Sequence, residues 1–437
     1  MLKRVEKQNL KDLKDACILA KDAKFPSPFD SKLEFSCSAR GPWNIVHTGM
    51  LIPQVHEVYV CAQSCLRGVV LTAAEMNAID RFSNIIVREN NILEGDTEDL
   101  IVEGMGDILE KLPYTPRAIL VYTSCIHHFI GCDLNLVYKR LREKYPNVEF
   151  TDCYMNPIMR KSGLTPDQLM RRQLYSLLDK QDLDLKSVNI IGNNLKTDDD
   201  SELVKIIKEN GFTLREVPRT KTYDEYKEMG KGFLNITYNP AAIEAGRYLE
   251  KKLGQKHLYL PLSYGFDEIE KTLDTLCENL GVEKIDFSSN KQQALDALKK
   301  AKEVIGDTHI EIDYTLTLRP ASLARLLLEN GFNVVAIYED CFAGEEEEDF
   351  KWIQENYPNL KIYATVHVKM RFVNRKRDEK LLALGQKAAY FTGSNNFVNI
   401  IEGGGMYGFS GIIKLCDLMI DAFLNEKDMK KLIQFKG

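Results

Sequence analysis

Apolar residues along this chain switch repeatedly between two spacings. Val188 to Ile191 reads as a buried strand, and it ends in the turn residues Gly192-Asn193-Asn194. The polar stretch Thr197 to Asp200 then supplies helix-start chemistry. Leu203, Val204, Ile206 and Ile207 follow at helical spacing, and Gly211 supplies the stop. TLREV resumes as a strand. LNITY and HLYLPLS read as two more.

The alternation returns further along. Ile310, Ile312 and Tyr314 alternate as in a strand, and Pro320 suits the first turn of the helix ASLARLLLEN. Gly331 ends that helix, and NVVAIY, KIYATV and AAYFTG continue as strands. Earlier, AILVY leads to the helix DLNLVYKRLREK, and the strand VEF follows Pro146-Asn147. Strands alternating with helices predict parallel sheets covered on both faces. The expectation is an α/β protein of three Rossmann-like domains at residues 31–180, 181–300 and 301–437, the last ending in a helix. A helical extension over residues 1–30, ended by Pro26 and Pro28, precedes them. In such sheets ligands sit beyond the carboxyl ends of the strands.

Composition narrows the class. The chain has 437 residues, of which 44% are hydrophobic and 28% charged, enough to build several cores. No uncharged apolar run reaches the ~18 residues that would suggest a membrane span. MLKRVEKQNLKDLKDA lacks the apolar centre of a signal peptide. A cytoplasmic location is expected. The net charge is −6 and the basic residues are scattered, which argues against a nucleic-acid partner. The acidic run Glu345 to Asp349 reads as a solvated loop.

Ten cysteines are many for a compartment that keeps thiols reduced. A buried free cysteine is usually a small hydrophobe. Cys17, Cys277 and Cys416 lie in helix-like or apolar sequence and are expected to fill core. The others fall elsewhere. Cys125 follows AILVY through Thr123-Ser124, at the carboxyl end of a strand. Cys37 sits in the turn-rich FSCSARGPW, Cys61 and Cys65 in HEVYVCAQSCLRG, Cys132 in IGCDL, and Cys153 after VEF. Thiolates are soft ligands that suit iron–sulfur clusters or zinc. Cys61 and Cys65 form one short-spaced pair without a matching second, so a tetrahedral zinc site is not spelled out. A ferredoxin-type run is absent as well. Spacing alone leaves a cluster and structural thiols open.

The order of these segments resembles the component 1 subunits of nitrogenase and their relatives, above all the α-subunit type. Cys37 in FSCSARG, His56 and Cys61 in HEVYVC, and Cys125 in TSCIHHFIGCDL follow the family's sequence of ligand segments. NNILEGDTEDL is similar to its strand and turn before a long helix. VNIIGNN, LNITYNPAAIEAGRYLEKKLG, TLTLRPASLARLLLENGFNVVAIYED and EGGGMYGFSGI continue the likeness over residues 30–430. The resemblance implies that Cys37, Cys61 and Cys125 hold a [4Fe–4S] cluster or a larger P-cluster-like [8Fe–7S] group. Three ligands leave a cube one short. A second copy or a sister chain, in a dimer or heterotetramer, would complete it, or else Cys65 or Cys132 would. Electrons would come from a separate ATP-dependent iron protein, and this chain carries no P-loop of its own.

The likeness also has gaps. The cysteine and histidine that hold the nitrogenase cofactor should fall near Tyr238 and near Val398 or Asn399, and neither is there. That implies no iron–molybdenum cofactor and a substrate other than dinitrogen. The pattern is closer to nitrogenase-like reductases that act on an organic molecule such as a tetrapyrrole. Tyr238, Arg319 and Tyr407 are candidates to line its cavity, with Gly404 and Gly405 letting backbone approach a ligand. Arg319 could meet a carboxylate. His127 and His128 are candidates to donate protons, whereas His257, His309 and His367 read as structural. Two other functions compete: a non-catalytic scaffold for metallocluster assembly, and a metal-free ligand-binding protein.

Overall fold

The computed structural model describes residues 13, 15–30, 34–156, 163–375 and 379–433. The described part of the N-terminal extension holds no α-helix. It forms β1, Cys17–Leu19, and a 3-10 turn at Ala20–Asp22. An edge-strand partner, described below, overrides the local helical pattern. Residues 1–12 and 14 of that expected extension lie outside the described residues.

The chain divides into two compact units. One comprises Trp43–Lys196 and Gly211–Leu260; the other takes the described residues of Met1–Pro42, Thr197–Asn210 and Pro261–Gly437.

The first unit holds two parallel sheets. β2 (Val55–Cys61), β3 (Phe82–Ile86), β4 (Ala118–Ser124) and β5 (Glu149–Met155) pair in the order β3-β2-β4-β5. Every residue of β2 and β4 is buried, as expected of strands covered on both faces. Val55, Tyr59, Cys61, Leu120 and Tyr122 enter one core cluster, and Val58, Val60, Ile119 and Val121 another. The two-residue period of a strand makes that division. NNILE is a short helix, Glu89–Glu94, closed by left-handed Gly95, and not the expected strand. β3, which ends just before that helix, takes the sheet position instead.

β6 (Asp184–Ile190), β7 (Thr213–Glu216), β8 (Gly232–Thr237) and β9 (Lys256–Tyr259) repeat the plan in the order β7-β6-β8-β9. Gly192, just past β6, has φ +84°, and a Cβ there would overlap that of Ala242. Gly192→Ala is expected to cost about 2–3 kcal/mol, from overpacking plus left-handed strain. Urea unfolding midpoints would check this.

In the second unit, β10 (His309–Asp313), β11 (Asn333–Tyr338), β12 (Lys361–Tyr363), β13 (Leu381–Leu384) and β14 (Phe397–Val398) form a sheet in the order β1-β12-β11-β10-β13-β14. Only β1 runs antiparallel, with Cys17 opposite Tyr363. AAYFTG is not a strand but part of the helix Gln386–Thr392. A short apolar run does not distinguish the two by pattern alone. Asp313 accepts the Ala388 N–H and Thr315 Oγ1 accepts that of Gln386, fixing the helix start. The acidic run is not a solvated loop either. Glu346 is fully buried and accepts from the N–H groups of Ala321 and Ser322 at the start of the helix Pro320–Glu329.

Among the described residues, no helix is long and apolar enough to cross a membrane.

Candidate functional site

Each sheet has a point where the chain's winding reverses: between β2 and β4, between β6 and β8, and between β10 and β13. Open α/β sheets bind ligands beyond the carboxyl ends of the strands that flank such a point.

In the first sheet that position belongs to cysteine. Cys61 ends β2 and is fully buried. Val60 pairs with Thr123 of neighbouring β4, so the ends of the two strands lie side by side. Cys125 comes directly after β4 and opens the helix Cys125–Ile130. The two thiols therefore leave adjacent strand ends. Burial, and then Cys65, pushes the Cys61 thiol up to about 12. Cys65 is exposed on the following helix, Gln63–Glu75. Cys132 lies past left-handed Gly131, and burial followed by Glu98 pushes its thiol up to about 12. Cys153 is a mid-strand core residue of β5, opposite Tyr122. Cys277 and Cys416 are buried in helices, while Cys17 is half-buried in β1.

His56 is on the opposite face of β2 from Cys61. Its ring bridges the Tyr114 hydroxyl and Ser83 Oγ, both at 2.8 Å. Burial, and then Arg81, lowers it to about 4, so it is a neutral cross-strand brace. Glu57, on the opposite pleat, is completely buried. It accepts from the Tyr59 hydroxyl at 3.1 Å and the Tyr122 hydroxyl at 3.4 Å. Burial nevertheless holds its carboxyl well above the usual range. The folded state thus keeps a proton that the unfolded chain releases above about pH 4.3. Stability is fully present below that pH and declines as pH rises toward the folded value. Glu57→Gln is expected to flatten this decline, gaining melting temperature over the parent from about pH 5 to about pH 8. Thermal unfolding across pH would show it.

Cys37 belongs to the other unit. It is buried, and Lys387 Nζ lies 3.0 Å from its Sγ and 3.2 Å from the Ala39 carbonyl. Lys387 is in the helix that follows β13, so the turn-rich segment around Cys37 is tied to the reversal point of the third sheet. Among the described residues, no three or more His, Cys, Asp and Glu side chains are grouped to hold a metal ion.

The remaining candidates are placed as follows. Tyr238 is buried just past β8, in the first unit. Arg319 and Tyr407 are buried in the second. Arg319 is engaged by Glu268 at 2.9 Å and Asp349 at 3.2 Å, and donates to the carbonyls of Leu262 and Glu345. The glycine run is a tight turn with Gly403, Gly404 and Gly405 all at positive φ. Its backbone is held by bonds from Glu402 to the Thr315 carbonyl and from Gly403 to that of Leu316. Gly405 accepts from the Asp198 N–H.

His127 and His128 line a cleft of about 430 Å³ beside Cys125. His127 is buried and His128 exposed. Ser124, Tyr154, Asn156 and Arg172 share that cleft, and sequence reasoning missed them as a set. Their one legible signal is position: Ser124 and Asn156 stand at the ends of β4 and β5.

Comparison with known proteins matches residues 46–422 to the family "Nitrogenase component 1 type Oxidoreductase". The structure of nitrogenase Cp1 at pH 6.5 superposes with a TM-score of 0.67, at 14% identity, over 90% of this chain and 94% of that one. Nitrogenase Cp1 at pH 5 gives 0.60, at 13% identity, over 94% of each chain. At that identity the likeness is one of fold. No curated protein matches the sequence. The family match spans most of the chain, over the sheets and strand-end cysteines described above, and the chain belongs to the nitrogenase component 1 type oxidoreductases.

Proposed function

We propose that the chain is the iron–sulfur component of an ATP-dependent, two-component reductase that acts on a small organic substrate and not on dinitrogen. The family binds iron–sulfur clusters, works with an iron protein and forms multimers. The observation that carries the finer reading is the pair Cys61 and Cys125, at adjacent strand ends flanking the reversal point of one sheet.

The donor chemistry fits such a group. Cys37, Cys61 and Cys125 are free thiols, soft donors that iron–sulfur clusters use. In this reading they are the ligands, and a partner subunit or a second copy supplies the rest. The bound cluster would supply one-electron storage and delivery. The chain's own residues do the positioning: β2 and β4 fix two thiols by backbone register, and Lys387 ties down the third. The absence of Cys and His near Tyr238 and Val398 supports a substrate other than dinitrogen.

The test is electron transfer. Anaerobic protein mixed with a family iron protein and reductant should show cluster reduction only when ATP is present. ATP-independent reduction, or none, would overturn the two-component reading. Transfer of an intact cluster to an acceptor, without substrate turnover, would favour the assembly scaffold.

A further inference from the structure

The cleft beside Cys125 holds an unusual concentration of unsatisfied polar atoms. Among the described residues, Ser124 Oγ, His127 Nε2, Asn156 Oδ1 and Arg172 Nε are buried atoms without a hydrogen-bond partner, and all four residues line it. Ser124 and His127 are 3% and 2% exposed, so bulk solvent does not meet their needs. Native proteins seldom leave buried polar groups unpaired, and several facing one cavity point to a ligand or ordered solvent.

The direction of these groups can be read. The Ser124 N–H donates to His127 Nδ1 at 3.2 Å. The Ser124 carbonyl lies 3.3 Å from the same nitrogen, but a proton there would oppose the amide hydrogen already pointing at it. Nδ1 is therefore the acceptor, and Nε2 carries the free N–H. With the Ser124 hydroxyl and the Arg172 guanidinium, the cleft offers three kinds of donor. Asn156 can turn its amide to add a fourth.

Charge points the same way. Among the described residues, no Asp or Glu lines the cleft. The neighbouring Arg171 is bonded to Asp167 and to the Gly192 carbonyl, and Arg319 in the other unit sits among carboxylates. Arg172 instead has the Tyr248 ring at 6.0 Å. Leu134 and Leu169 provide apolar wall. A volume of about 430 Å³ lies in the lower part of the range for small-molecule pockets.

The geometry points to a binding site for a small organic carboxylate, its anionic end held by Arg172, His127 and Ser124 and its apolar body against Leu134 and Leu169. The site stands on the chain's own residues and does not require iron. If the reductase reading holds, such an acid is the class of substrate to try first, because Ser124 and His127 flank Cys125.

The experiment is ligand-observed NMR on the full chain, with benzoate, its neutral isostere benzamide, and inorganic phosphate. Benzoate should bind, benzamide should not, and phosphate should be weaker for want of an apolar body. Arg172→Gln should weaken benzoate about tenfold or more, the scale of a lost charge-assisted bond. Arg172→Lys should restore part of it. The unliganded melting temperature serves as the control for folding. Equal binding of benzoate and benzamide, unchanged benzoate affinity in Arg172→Gln, preferential phosphate binding, or no benzoate binding would each overturn the proposal. Iron content measured on the same samples reports separately on the cluster.

Discussion

Cys125→Ala is expected to abolish the visible cluster absorption and to lower ATP-dependent reductase activity on the order of 100-fold or more, beyond the 10–100-fold seen when only supporting groups are lost. Cys61→Ala should do the same. β2 and β4 are central in their sheet and wholly buried, so their register cannot slip without turning a core face to the wrong side. That register places Cys61 at the end of β2 and Cys125 directly after the end of neighbouring β4. Cys153→Ala is the control: its thiol is deep in the core, so it should lower stability while leaving iron bound. Iron content and melting temperature, measured on all three variants, separate ligation from packing.

Arg319→Ala is expected to destabilise the fold by about 3–5 kcal/mol, the scale of breaking a buried ion pair by removing one partner. Its side chain is 5% exposed and that of Asp349 13%. Removal leaves Asp349 with Arg325 at 3.2 Å and the Ser322 hydroxyl, and leaves two carbonyls without their donor. The residue looked like a substrate anchor in the sequence. In the fold it joins the segments around Leu262, Glu268, Glu345 and Asp349. Denaturant titration of the variant would measure the loss. A loss of activity at unchanged stability would point to a substrate role instead.

Much of the architecture is written in local pattern. The strands at Ala118–Ser124 and Asn333–Tyr338 and the buried end of Asp184–Ile190 are short and bounded by turn residues, so pattern finds them. Elements set by distant partners escape it. β1 is a strand because β12 offers an edge, and Gln386–Thr392 is a helix because Asp313 and Thr315 cap it. Glu346 looked solvated because the helix start that it satisfies is more than twenty residues away in the chain. The site divides in the same manner. Cys61, the last residue of β2, and Cys125, directly after β4, stand at strand ends that local pattern finds. The polar cleft is assembled from β4's end, β5's end and the helix Pro166–Gln173, which no local window contains together.

The proposed function rests on ligation of an iron–sulfur cluster by the strand-end cysteines Cys61 and Cys125. Iron and acid-labile sulfide determination on strictly anaerobic protein, with an electron paramagnetic resonance spectrum of the reduced sample, tests it most directly. The account predicts a brown protein with iron and sulfide in comparable amounts and a reduced-cluster signal, all lost together in Cys61→Ala and Cys125→Ala. A colourless, iron-free chain, or a cluster that survives both substitutions, would contradict it.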